Sequence, residues 1–173
     1  MQANLLRFIK DVPDFPKPGI VFKDFTPLLA DPGALALAVE LMVNPFRGKR
    51  VDLVLGAESR GFIFGTAIAQ ALSAGFVPIR KAGKLPRDVH HVEYELEYGV
   101  DRLEIHAGDI PAGSSVLIVD DLLATGGTLD ASAKLATMAG ATIIGATVLI
   151  ELEALGGRSK LGAIDPLHHV LRF

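Results

Sequence analysis

Residues Val116 to Thr128 read VLIVDDLLATGGT, an apolar run that delivers two adjacent carboxylates and then a threonine-glycine-glycine-threonine turn. The run Ser115 to Val119, SVLIV, has no polar alternation, which predicts a strand buried on both faces, as in a parallel sheet. Asp120 and Asp121 then fall at its carboxyl end, where open α/β sheets bind their ligands. Ala124, Thr125, Gly126, Gly127 and Thr128 form a tight turn that opens a helix over Leu129 to Ala139. Glycine admits positive φ, so successive N–H groups can converge on one anion, and the helix start adds a field worth about 0.3 to 1 kcal/mol. Thr125 and Thr128 supply hydroxyl donors, and carboxylates, which only accept, suit the 2′- and 3′-hydroxyls of a ribose. A lone TGGT reads as a plain strand-to-helix turn. The acidic pair four residues before the glycines makes the combination more specific than a GxGxxG match, and no GxxxxGK[ST] phosphate loop occurs.

Outward from this segment the same rhythm recurs. Asp52 to Ala57 (DLVLGA), Phe76 to Arg80 (FVPIR) and Ala141 to Glu151 are further apolar strands, and Arg60 to Ser73 is helical with many small residues. Asp31-Pro32-Gly33 reads as a helix start with Asp as N-cap, and the helix runs to Asn44-Pro45. The pattern predicts an α/β, doubly wound, mainly parallel sheet with flanking helices. Two stretches depart from it. Leu5, Leu6, Phe8 and Ile9 form a short amphipathic helix, broken by the proline-rich loop Val12 to Gly19. Val92, Tyr94, Leu96 and Tyr98 alternate with glutamates, and Leu103 and Ile105 alternate again after Gly99, which predicts a half-exposed β-hairpin. Its approach, Lys81 to His91, is polar and Gly/Pro-punctuated, as a mobile arm or lid would be.

The 173 residues suit one domain, which buries roughly 70% of its unfolded surface. A net charge of -3 argues against a nucleic-acid-binding surface. The chain has no cysteine, which excludes disulfides and thiolate catalysis and accords with a reducing compartment. The amino-terminal residues lack the apolar core of a signal peptide, and the apolar stretch Ala141 to Ile150 is too short to span a bilayer, so no membrane partner and a cytoplasmic location are expected. His90 and His91 read as solvated loop residues, and no metal-ligand spacing is visible.

VLIVDDLLATGGT resembles the signature of the type I phosphoribosyltransferases, and its LLATGGT form resembles their adenine-specific branch. PDFPKPGIVFKDFTPLL (Pro13 to Leu29), ESRGFIFG (Glu58 to Gly65), RKAGKLP (Arg80 to Pro86) and YELEYG (Tyr94 to Gly99) follow that family's order and spacing, so the likeness covers nearly the whole chain. It implies one domain over 1–173 with an N-terminal hood (1–30) and a flexible lid and hairpin (82–106). It also implies the reaction of adenine with phosphoribosyl pyrophosphate to give AMP and diphosphate, with Mg²⁺ held mainly by substrate oxygens, in a homodimer.

The resemblance also distributes roles. Ser59 and Arg60 would hold the diphosphate, in a loop that in the family often carries a non-proline cis peptide, expected here at Glu58-Ser59. Arg80, Lys81 and Lys84 add cations, with Arg80 a candidate to reach the neighbouring subunit; by themselves they read as a solvated basic strand end. Phe22 would stack on adenine while the backbone of Val21 and Lys23 reads its edge, and Leu152 would be an apolar contact to the base. Phe22 alone reads as a core aromatic. Relatives commonly carry arginine at the position of Lys23, so only a backbone role is inferred there. Enzymes for 6-oxopurines usually place aspartate where Ala124 stands, so proton handling is expected from Glu97, with Tyr98 beside it. From spacing alone Glu97 is one of three glutamates on a solvated strand face. The rival readings are a hypoxanthine, guanine or xanthine transferase, opposed by Ala124, and a sensor that binds phosphoribosyl pyrophosphate without turning it over.

Overall fold

The computed structural model describes residues 2–95, 100–162 and 164–173. The chain divides into two compact units, Met1–Leu41 and Met42–Phe173. In the first, α1 (Gln2–Leu6) precedes β1 (Lys10–Pro13) and β2 (Val21–Asp24), which pair antiparallel with Val12 opposite Phe22. The proline-rich segment is therefore the connector of a two-stranded ribbon. Its strands escape sequence reading because prolines crowd them and no alternation shows. Within the connector the Gly19 N–H donates to Asp14 Oδ1 at 2.7 Å. A short helix α2 (Thr26–Ala30) follows, and then α3 (Pro32–Val43). The Ala34 N–H donates to Asp31 Oδ1 at 2.8 Å, the N-cap bond anticipated for Asp31.

The second unit is built on β3 (Leu53–Ala57), α4 (Gly61–Leu72), β4 (Gly75–Lys81), β5 (Val89–Glu95), β6 (Val100–His106), β7 (Ser115–Leu123), α5 (Gly127–Met138), β8 (Thr142–Glu151) and β9 (Leu167–Arg172). The strands form one sheet in the order β5-β6-β4-β3-β7-β8-β9. Five of them, in the order β4-β3-β7-β8-β9, are parallel, and the hairpin β5–β6 joins antiparallel at the edge, with Arg80 opposite Glu104. The mainly parallel doubly wound sheet expected from the sequence is thus present. The hairpin begins three residues earlier than the alternation suggests. Strand β9 was not anticipated, because His168 and His169 interrupt its apolar run.

Leu55, Val77, Ile105, Val116, Ile118, Leu135 and Val148 lie in one buried cluster between sheet and helix. Each such side chain contributes roughly 1.5 to 3 kcal/mol by leaving water, which fixes the sheet on which the loops are mounted. No described helix is long and apolar enough to cross a membrane.

Candidate active site

In the parallel set the chain runs from β3 outward to β4, then returns to the other side of β3 to lay down β7. The connections that leave the carboxyl ends of β3 and β7 therefore part in opposite directions, and the crevice between such loops is where doubly wound sheets bind ligands. A cavity of about 250 Å³ lies there. Glu58, Ser59 and Arg60 line it from the β3 side, and Asp120 through Leu129 from the β7 side. Both anion-binding segments read from the sequence are thus brought together, with Ser59, Arg60, Asp120, Asp121, Ala124, Thr125, Gly126, Gly127 and Thr128 on one wall or the other. The Glu58–Ser59 peptide is cis, as expected.

Asp120 and Asp121 are both nearly inaccessible, at 8% and 4% exposed. The Asp121 N–H donates to Asp120 Oδ1 at 2.9 Å, and Arg60 Nε lies 2.9 Å from Asp121 Oδ2. Burial, and then repulsion from Asp121, pushes the Asp120 carboxyl well above the usual carboxylate range, with Arg60 opposing. Space for this pair comes from the start of α4. A Cβ at Gly61 would lie 3.0 Å from Asp120 Oδ1 and 3.3 Å from the Val119 oxygen, so a larger residue there would press on the carboxylate. Gly126 has φ +85°, a conformation for which glycine is the natural residue, and it turns the chain into α5.

The cations of the β4 end are held by carboxylates. Arg80 Nε donates to Glu58 Oε2 at 2.9 Å and Lys84 Nζ to Glu58 Oε1 at 2.7 Å. Burial of Glu58 opposes its ionisation, but the bonds from Lys84 and Arg80 outweigh it and hold the carboxyl below its ordinary range. Glu58 lines the cavity, whereas Arg80 and Lys84 bond to it without lining the cavity themselves. Lys81 turns instead to the hairpin, with Nζ 3.1 Å from Asp101 Oδ2. The Tyr94 hydroxyl donates to the same oxygen at 3.2 Å, and the Tyr94 ring covers Gly127, where a Cβ would lie 3.2 Å from it. Burial, and then the Asp101 charge, raises the Tyr94 hydroxyl above its ordinary range, so it stays a donor. The hairpin therefore rests on the first turn of α5.

The base-reading candidates lie elsewhere in the chain. In the first unit Val21, Phe22 and Lys23 are consecutive on β2. Phe22 meets Phe15 edge to face at 5.3 Å, and the two rings with Val12 and Asp24 line an apolar hollow. The Lys23 ammonium is 2.7 Å from Asp11 Oδ1. In the second unit the half-buried Leu152 follows β8, its N–H bonded to the Leu123 oxygen at 2.9 Å. Glu97 and Tyr98 lie outside the described residues. Sequence reasoning missed the roles of Glu58 as the anchor of two cations and of Gly157, which abuts the glycine turn; the dipeptide Gly156-Gly157 was the available signal.

Residues 28–165 match the phosphoribosyl transferase domain family. The chain is 54% identical over 170 residues to an adenine phosphoribosyltransferase of Rhodopirellula baltica, covering 98% of this chain and 82% of that one. A crystal structure of adenine phosphoribosyltransferase from Rhodothermus marinus superposes with a TM-score of 0.94 at 48% identity, covering 99% of this chain and 98% of that one. The enzyme from Saccharomyces cerevisiae, crystallised with adenine and an imino-altritol bisphosphate, superposes with a TM-score of 0.91 at 42% identity, with 98% of each chain covered.

Proposed function

The chain belongs to the phosphoribosyl transferase family and makes AMP and diphosphate from adenine and phosphoribosyl pyrophosphate, and from that premise we propose how its residues divide the work. The observation that carries the proposal is the crevice at the sheet's switch point, where an acidic pair, a glycine turn and a second strand-end loop face one cavity. Thr125, Gly126, Gly127 and Thr128 grip the 5-phosphate through backbone N–H groups and hydroxyls. Asp120 and Asp121 accept from the 2- and 3-hydroxyls of the ribose. Ser59 and Arg60 hold the diphosphate, and by the family resemblance Arg80, Lys81 and Lys84, here held by Glu58 and Asp101, add further positive charge as it leaves.

As the ribose C1–oxygen bond breaks, its electron pair departs with diphosphate, and a purine ring nitrogen bonds to C1. Cations already in place for the leaving charge lower that barrier most. By the family resemblance, Phe22 stacks on adenine, the backbone of Val21 and Lys23 reads its edge, and Leu152 is an apolar contact to the base. Ala124 supplies no carboxylate, so Glu97, with Tyr98 next to it in the sequence, takes the purine N–H proton.

Among the described residues no group of three or more His, Asp or Glu side chains could hold a metal ion alone. Mg²⁺ ordinarily takes one or two carboxylates plus substrate oxygens. The adjacent carboxylates of Asp120 and Asp121 fit such an ion, carried mainly on the substrate's own oxygens. When bound it neutralises charge on the departing diphosphate. A cytoplasmic homodimer, with Arg80 offered to the neighbouring site, completes the proposal and rests on the family resemblance.

Incubation with phosphoribosyl pyrophosphate, Mg²⁺ and a mixture of adenine, hypoxanthine, guanine and xanthine is expected to yield AMP. Formation of IMP or GMP in its place would overturn the reading of Ala124. The acidic pair also has a pH signature. Asp120 accepts from the ribose most strongly when ionised, and burial with the Asp121 charge raises its folded-state pKa. The KM for phosphoribosyl pyrophosphate should therefore climb on the acid side at a pH above the usual carboxylate range. In Asp121→Asn the repulsion is gone and the climb moves to lower pH; an acid limb that stays in place would refute the coupling.

A further inference from the structure

A second glycine pair, Gly156-Gly157, lies thirty residues beyond the turn that grips phosphate, and its second member, Gly157, packs against that turn. A Cβ on Gly157 would overlap the Ala124 oxygen and stand 2.9 Å from both the Gly126 nitrogen and the Thr125 carbonyl carbon. Reciprocally, a Cβ on Gly126 would stand 2.7 Å from the Gly157 oxygen. Contacts this short leave no room for any side chain, so the two backbones lie directly against each other. Gly157 is buried and starts a 3-10 turn, Gly157–Lys160.

The adjoining residue fastens this turn to the sheet. Arg158 donates Nε to Glu151 Oε1 at 2.9 Å and Nη2 to Glu151 Oε2 at 2.6 Å, and its Nη1 donates to the Leu167 oxygen at 2.9 Å. Such a fork fixes direction as well as distance. Glu151 is 3% exposed, and it ends β8 in register with Leu123, the last residue of β7 and the one from which the phosphate turn springs. The turn at 124–127 is thus held between its own strand and a backbone buttress anchored on the neighbouring strand.

We propose that Gly157, fixed by the Arg158–Glu151 pair, is a positioning element for the phosphate turn and sets its affinity for the 5-phosphate of the ribose substrate and of AMP. The proposal rests on the reading of Thr125 to Thr128 as the phosphate cradle. A turn pushed aside by an ångström loses aligned N–H donors, while the adenine contacts proposed for Val21, Phe22 and Lys23 lie on β2 and do not depend on the turn.

The test compares Gly157→Ala, Arg158→Gln and Arg158→Lys with Gly126→Ala in the full chain, by steady-state kinetics in each substrate, calorimetric titration with AMP and adenine, and thermal unfolding. Gly157→Ala and Arg158→Gln are expected to raise the KM for phosphoribosyl pyrophosphate and weaken AMP binding by roughly tenfold to a hundredfold, with the KM for adenine within about twofold. Arg158→Lys keeps the charge but not the fork and should fall between them and the unchanged protein. If Gly157→Ala does not fold, the two Arg158 variants carry the test. Unchanged phosphate affinity in the folded variants, or equal loss for both substrates in step with a lowered Tm, overturns the proposal. If Gly126→Ala also leaves phosphate affinity unchanged, the reading of the cradle itself fails; if Gly126→Ala weakens it while the others do not, only the buttress fails.

Discussion

Replacing Asp120 and Asp121 together by asparagine is expected to cut kcat/KM for phosphoribosyl pyrophosphate by roughly a hundredfold to ten-thousandfold, because each charged hydrogen bond contributes about 1.5 to 3 kcal/mol. The melting temperature should not fall with it. A group whose folded-state pKa is raised stabilises the fold below its unfolded pKa and loses that contribution as pH rises through the folded value. Asp120 is such a group, raised by burial and by Asp121, so near neutrality its charge costs the folded state free energy that asparagine does not. A pair proposed to bind the ribose would on this account reduce stability, a trade common at working sites. Loss of the Asp121 carboxylate leaves Arg60, whose side chain is 43% exposed, in contact with water, so no deeply buried orphan charge results. Thermal unfolding near pH 7 beside steady-state kinetics checks both halves. Kinetics equal to the unaltered protein would refute the assignment, and a collapse of the fold would refute the electrostatic account.

The second large effect belongs to Glu97. In Glu97→Gln, kcat is expected to fall by roughly a hundredfold to ten-thousandfold, the usual contribution of a positioned general base, with little change in the KM for phosphoribosyl pyrophosphate. The same substitution should remove whichever limb of the kcat–pH profile reports that carboxylate. Glu93 is the control. It is exposed on β5 of the same hairpin, and Glu93→Gln should leave kcat within about twofold, as exposed substitutions away from a site usually do. Tyr94, three residues before Glu97 in the sequence, covers Gly127 with its ring. If both glutamate variants behaved alike, the proton would have to be handled elsewhere.

Much of this molecule is legible along the chain. Unalternated apolar runs announced β3, β4, β7 and β8, and period-two alternation announced the β5–β6 hairpin, because side-chain pattern responds directly to which faces are buried. The helix start at Asp31 was equally readable, since a cap bond spans only three residues. The ribbon β1–β2 and the strand β9 were not, because their local composition contradicts their state: prolines in one, adjacent histidines in the other. What makes them strands is a partner strand to bond with, and partners lie outside any local window.

The binding turn itself follows the same division. By itself the sequence determined the acidic pair, the left-handed glycine and the switch from strand to helix, all set by backbone sterics and burial within a dozen residues. Only the tertiary structure decided that Arg80 and Lys84 share Glu58, 22 and 26 residues away, that Arg60 faces Asp121, and that Gly157 leaves room for the turn. Those contacts depend on the order in which the strands assemble. Strand order arises from the summed burial of whole faces, and no short stretch of residues carries that information.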